Sequence, residues 1–432
     1  TLNFNIETDD AGTGKAFYVD NVFFAHESVP VPKVTQTVPV VQKENISYSG
    51  NKIAEDILDR DYKDIDKMMS LGVISGYPDG SFKPDNDVTR AEFLVMLMRM
   101  LKMDNLTASE SKYADVQDDH FARGAIEAAT SLGICHGYGN GKFGPDDHVT
   151  YVQAVKMLMS TMGYAFIADE KGGYPNGYMA AAREEDIYVS ENISMDDNLT
   201  RAMTAELLCS ALDVGLYMQN GKGGIVRDNN RTILTEYYNG DLMRGYVEAS
   251  NDAFVNGDKA GYNSVKINGV EYFSGTTRAE ELVGYYVDFI CSEIDGEYTL
   301  LYIQPRGSKN DELVIDARDI DEYSNYEYTY YEGDKKRKAK LDKGFTVIYN
   351  GQTINSYNDL MMTPELGSIK LIGSDGGKYT VAYITSYETI IVSSVNKITG
   401  DIYDIDNKKY TFEPADDNIS YIKPDGSSGT IA

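Results

Sequence analysis

The apolar positions change period along the chain, and the change divides it. After Thr89, residues Leu94, Leu97, Met98 and Leu101 recur at i, i+3, i+4 and i+7, the stripe of an amphipathic helix. The same stripe returns 61 positions later as Val155, Leu158, Met159 and Met162, after Thr150. A third copy follows Thr200 with Ala205, Leu208, Cys209 and Leu212. Cys209 lies on the stripe and therefore reads as a core residue. Preceding helices match as well: Ile65, Met68 and Leu71 answer Ile126, Ala129 and Leu132, and a third is expected around 178–182. Residues 51–218 thus hold three copies of a helix pair, at about 51–105, 110–163 and 164–218. One pair cannot hide its own stripe, so the three are expected to pack around a shared axis.

From residue 219 the helical period disappears. Short tyrosine- and valine-rich runs alternate with Asn-Gly, Asp-Gly and Gly-Gly, the pattern of antiparallel β-structure. Ile267-Asn268-Gly269 answers Tyr349-Asn350-Gly351, and the run 298–303 answers 379–384, at shifts of 82 and 81. Two related small barrels or sandwiches are expected, at about 231–310 and 311–432. Alternation over 1–6 and the run 16–24 predict two strands, too few to bury a core alone; residues 1–27 resemble the terminal strands of a truncated β-sandwich. Pro30, Pro32 and Pro39 make 28–50 an extended linker.

The first copy has a distinctive link between its helices, Leu71-Gly72-Val73-Ile74-Ser75-Gly76-Tyr77-Pro78-Asp79-Gly80-Ser81-Phe82-Lys83-Pro84. Gly72 suits a left-handed helix end, and Pro78-Asp79-Gly80 is turn chemistry. Thr89 and Glu92 have the spacing of a capping box, which fixes Arg90 at the first helical position with its guanidinium expected to point outward.

Composition narrows the function. The net charge of −28 makes nucleic acid and anionic lipid poor partners. The 34 tyrosines and absent tryptophan suit strands and sugar stacking. Cys135, Cys209 and Cys291 form neither a disulfide framework nor a zinc motif, and no cofactor or metal site is expected. No apolar run reaches the roughly 18 residues of a membrane helix. No nucleotide-binding or hydrolase fingerprint occurs, and acid pairs such as Glu184-Glu185 identify no cleft. Lys335 to Lys340 is a basic run that reads as a solvated hairpin tip, with teichoic-type polymer as the other reading. His136, in the second loop, has a sugar-donor reading beside that of a surface residue. Without an initiator methionine, the chain reads as a piece of a longer protein.

Residues 51–218 resemble three consecutive S-layer homology (SLH) motifs. The resemblance rests on the loop above with Thr89-Arg90-Ala91-Glu92-Phe93. It rests also on Tyr113-Ala114-Asp115-Val116 and the second loop, Gly137-Tyr138-Gly139-Asn140-Gly141-Lys142-Phe143-Gly144-Pro145, and on Thr200-Arg201-Ala202. The second copy departs from the family at Thr150-Tyr151-Val152-Gln153. The third has Met203 for glutamate and lacks the Gly-Tyr loop. The resemblance implies an all-α pseudo-threefold bundle in a multidomain protein. It implies a secreted, cell-surface protein anchored without covalent bonds to secondary cell-wall polymer. Arg90 would then meet an acidic sugar substituent, with Thr89, Gly76, Tyr77, Asp79 and Gly80 of its own copy, and Tyr138 and Arg201 of the others, at the polymer. Residues 1–27 resemble the end of a jelly-roll carbohydrate-binding module, where Asp20 has a calcium reading beside the plainer one of a turn residue. Two further readings stay open: a surface-tethered carbohydrate-active enzyme with its catalytic domain upstream, and an S-layer lattice subunit.

Overall fold

The computed structural model describes residues 46–219, 224–374, 376–387, 392–395, 401–404 and 406–410, with short strands at 4–5, 18–19, 419–422 and 428–431. Strand β1 (Phe4–Asn5) pairs antiparallel with β2 (Tyr18–Val19). The rest of the expected sandwich remnant, Asp20 and most of the linker lie outside the described residues. The chain forms two compact units, one of residues 45–251 and 258–306, the other of 1–44, 252–257 and 307–432.

The first unit holds the helices: α1 (Tyr62–Ser70), α2 (Arg90–Met100), α3 (Arg123–Ser131), α4 (Tyr151–Thr161), α5 (Ala165–Glu170), α6 (Asn176–Glu184) and α7 (Arg201–Ser210). Their packing crosses the copies: α2 lies on α3, α4 on α6 and α7 on α1. The stripe residues Leu94, Leu97, Val155, Leu158, Ala205 and Leu208 are fully buried in one core. Three residues one step before the long helices close a ring. The Val88 amide donates to the Leu199 carbonyl (2.9 Å), Leu199 to Val149 (3.0 Å) and Val149 to Val88 (2.9 Å). These are buried amides, so each strand-like segment needs its two neighbours to satisfy its backbone.

The core does not stop where the sequence period changes. After α7 come the hairpin β3 (Leu216–Gln219) and β4 (Ile225–Asp228), and α8 (Ile233–Tyr238), which ends on left-handed Asn239. Strands β5 (Gly240–Ala249), β6 (Ser264–Ile267), β7 (Val270–Phe273), β8 (Tyr286–Ile294) and β9 (Glu297–Pro305) close a barrel in the order β5-β6-β7-β9-β8. Ile290 and Tyr302 of the barrel belong to the same apolar cluster as the helices. The Lys67 ammonium lies 5.5 Å from the Tyr302 ring, and Ser49 Oγ donates to the Ile303 carbonyl (3.1 Å). Thr277-Arg278-Ala279-Glu280 repeats the letters of the capped helix start but opens only the 3-10 turn Ala279–Leu282. Arg278 instead holds the Ile46 carbonyl (3.0 Å).

The second unit contains β10 (Asp311–Asp316), β11 (Ile320–Ser324), β12 (Glu327–Glu332), β13 (Lys335–Tyr349), β14 (Gln352–Ile354), α9 (Asp359–Met362), β15 (Gly367–Gly373) and β16 (Tyr379–Ser386). The sheet order is β10-β15-β16-β13-β12-β11, with β14 on β13 and a parallel β13–β16 pair. Both Asn-Gly pairs turn as the sequence predicts, with positive φ at Asn268 and Gly269 and at Asn350 and Gly351. Only the first of the two repeats closes into a barrel; the second is an open sheet among the described residues. The basic run begins at the exposed end of the β12–β13 hairpin, beside the Gly333 turn, and continues along β13. Lys336 pairs with Asp321 (2.7 Å), Arg337 with Glu332 (3.1 Å), and Lys338 and Lys340 with Glu327. Among the described residues no helix is long and apolar enough to cross a membrane.

Candidate functional site

The first loop begins at Gly72, whose φ of +74° ends α1 and lets the Val73 amide return to the Met68 carbonyl (2.9 Å). The Tyr77 amide donates to Ser81 O (2.8 Å) and the Gly80 amide to Tyr77 O (3.0 Å). Gly80, at φ +85°, is needed for conformation alone, since nothing lies within 4 Å of the Cβ it lacks. Asp79 accepts from the Ser81 amide (3.0 Å) and hydroxyl (2.6 Å). Those two bonds, with Lys83, lower its pKa to about 2. A second carboxylate, Asp56, receives the amides of Phe82 (3.0 Å) and Lys83 (2.7 Å) and fixes the far end of the loop. The second loop repeats this: Tyr138 donates to Lys142 O (2.9 Å), and Asp115 receives the amides of Phe143 and Gly144 (both 2.8 Å). Burial raises the Asp115 carboxyl, but the two amides outweigh it and leave it below the usual range.

The arginines do not point outward. Arg90 is 5% exposed and Arg201 is 7% exposed, and each reaches into the loop of a different copy. Arg90 lies over Tyr138 and Phe143, its Cζ 4.9 and 4.6 Å from their ring centroids. It donates to the carbonyls of Phe143 (Nε, 3.2 Å) and His136 (Nη2, 3.4 Å) and to Gln153 Oε1 (Nη1, 3.0 Å). Arg201 lies over Tyr77 and Phe82, at 4.8 and 4.6 Å, and donates to Phe82 O (Nε) and Ser75 O (Nη2), both 2.8 Å. In the third place Tyr151 replaces arginine, and its hydroxyl accepts from the Val189 amide (3.4 Å). Each of these contacts therefore joins the first helical residue of one copy to the segment between the helices of the next. The last copy returns to the first.

This corrects the expected grouping. Arg90 meets Tyr138, not Tyr77, and Tyr77 belongs with Arg201, which was expected to have lost its loop. The reason is the ring: α2 packs on α3 and α7 on α1, so a helix start faces the neighbouring copy. The amides of Tyr77 and Gly80 are taken up in closing the loop. Gly76 is held close, a Cβ there lying 3.2 Å from Ser81 O. Thr89 is a cap: its Oγ1 accepts from the Glu92 amide (3.2 Å) and Glu92 Oε2 from the Thr89 amide (2.8 Å). His136 contributes its carbonyl, with its side chain exposed. Cys209 is a core residue, its thiol pushed up to about 12 by burial.

Sequence reasoning missed Gln153, Asp56 and Asp115. The two aspartates were detectable, because Asp56 stands 59 positions before Asp115 and each precedes its loop phenylalanine by about the same interval. Gln153 was visible only as a departure from glutamate. Freed from capping, its side chain turns to Arg90, and Thr150 makes no side-chain cap bond.

Residues 57–94 and 112–155 match the model of the S-layer homology domain family. The chain is 25% identical over 327 residues to the middle cell wall protein of Brevibacillus brevis, covering 72% of this chain and 29% of that protein. It is 26% identical over 296 residues to a cell surface protein of Thermoanaerobacter kivui, covering 66% of this chain and 36% of the relative. A cellulosome-anchoring protein of Acetivibrio thermocellus shares 34% identity over 97 residues, 22% of this chain and 21% of that protein. The chain thus spans about a third of the length of the first two relatives. Two matched motifs, in a chain with surface-protein relatives, identify it as an S-layer homology domain protein, secreted and associated with the cell surface.

Proposed function

We propose that the helical ring anchors a surface protein to the cell wall by holding an acidic wall polysaccharide in the grooves between successive motifs. The observation that carries this reading is the repeated pairing of a buried arginine with the aromatic loop of the next motif, at Arg90–Tyr138 and Arg201–Tyr77. A guanidinium held on a ring and by carbonyls keeps its charge, and its unused N–H groups suit a carboxylate. The closed trio of Val88, Val149 and Leu199 supports a pseudo-threefold bundle in which two grooves carry arginine and the third does not. The name of the Acetivibrio thermocellus relative supports attachment as the role, with no catalytic step in these residues.

The test is co-sedimentation of the full chain with protein-free cell walls, before and after extraction of their polysaccharide. The chain is expected to pellet with intact walls only. Equal pelleting with extracted walls, or none with either, overturns the reading.

A further inference from the structure

The two arginine grooves share their letters but not their chemistry. In the Arg90 groove three guanidinium nitrogens have protein acceptors, because Gln153 takes Nη1. In the Arg201 groove the residue at the position of Gln153 is Glu92, whose carboxylate caps Thr89. Arg201 Nη1 consequently has no hydrogen-bond partner among the described residues. It is also not one of the buried atoms left unsatisfied, so it keeps contact with solvent in a side chain otherwise more than nine-tenths buried.

A second difference lies at the loop exit. Lys83 Nζ stands 4.3 Å from the centroid of the Tyr77 ring, on which Arg201 also lies, and 3.3 Å from Asp79. Lys83 holds φ +56°, a conformation that glycine takes readily and lysine seldom. The matching residue of the second loop is Gly144, at φ +73°. A Cβ there would lie 2.6 Å from Tyr138 Cε2 and 2.3 Å from Asp147 Oδ2, so a side chain at this position would displace both from where they stand. Among the described residues Tyr138 thus carries Arg90 but no second cation at the position of Lys83. Tyr138 is 51% exposed, and its hydroxyl donates to Asp147 (3.0 Å), where the first copy has neutral Asn86. Asp56 and Glu92 act on Arg201 from a distance, but both are engaged by backbone amides.

Resting on the anchoring reading, we propose a division of labour. The groove of Arg201, Tyr77 and Lys83 takes a carboxylate-bearing sugar, with Lys83 as the cation that discriminates it. The groove of Arg90, Tyr138 and Asp147 takes an uncharged sugar, stacked on the open ring and hydrogen-bonded to the carboxylate. A lysine kept where glycine is the easier residue is what such a role requires.

The test measures binding of the full chain to protein-free walls whose carboxylates are free or amidated with carbodiimide and ethanolamine. Lys83→Gly should weaken binding to untreated walls about five- to tenfold, the loss of one charge-assisted contact. It should leave binding to amidated walls unchanged and the melting temperature undiminished. Lys83→Met, which keeps the cover over Tyr77, should give the same loss. Tyr138→Ala should weaken binding to both preparations by the same factor. Lys83 variants with full affinity for untreated walls, or an equal loss on both preparations, overturn the division while leaving anchoring intact. A wild-type chain that binds neither preparation overturns the anchoring reading and this one with it.

Discussion

The loops of the first and second motifs are built on one plan and used on different terms. Each is pinned by a carboxylate at its phenylalanine amide, each stacks a tyrosine and a phenylalanine on an arginine from another copy, and each opens at a left-handed glycine. Where they differ, at Lys83 and Gly144, Asp79 and Asn140, Glu92 and Gln153, the residues lie at the rim and not in the core. A repeat preserves what its packing requires and varies what meets the solvent. The other two helix starts extend the lesson: in the second motif Tyr151 stands buried where the others have arginine, and in the third Met203 stands half-buried where the first has Glu92.

Substitutions sort by whether they strike the shared plan or the difference. Phe82→Ala and Phe143→Ala should each cost about 3–5 kcal/mol, because both rings are fully buried supports of an arginine. Urea denaturation should return similar values for the two, and a large disparity would break the equivalence of the loops. Arg90→Met and Arg201→Met should cost about 1–3 kcal/mol, more at Arg90, which satisfies three acceptors against two. Thr89→Ala should cost about 1 kcal/mol, whereas Thr150→Ala should cost close to nothing, since only the first hydroxyl accepts a cap bond. A subtler contrast is with acid. Asp79 has a folded pKa of about 2 against an ordinary value of about 3.9, so the ionised form is favoured by the fold. Its contribution is complete above that ordinary value and fades as pH falls toward 2. Asn140 Oδ1, which accepts the Lys142 amide in the second loop, does not titrate. Amide chemical shifts should therefore move at Ser81 in acid and stay at Lys142.

The helices were legible because their signal is local. Period, caps and the left-handed glycines at 72 and 133 depend on neighbours within a turn or two, and the Asn-Gly turns at 268 and 350 likewise. The pairing of arginine with loop was not legible, because it depends on which helices pack together across more than 40 residues of chain, and motif letters carry no such information. The barrel posed the same problem. Its repeat with the following sheet is visible, but closure depends on how β5 bridges β6 and β8, which no run of residues announces. Nor does the change of period at 219 reveal that Tyr302 continues the helical core.

The central claim is that an arginine at the start of one motif grips the loop of the next. A double-mutant cycle of unfolding free energies tests it without any ligand, using Arg201→Met and Arg90→Met, each combined with Tyr77→Leu. Arg201 and Tyr77 should show a coupling of about 0.5–2 kcal/mol, in the range of a desolvated cation over a ring. Arg90 and Tyr77, which share no contact, should show none. Coupling between Arg90 and Tyr77, with none for Arg201, would contradict the account.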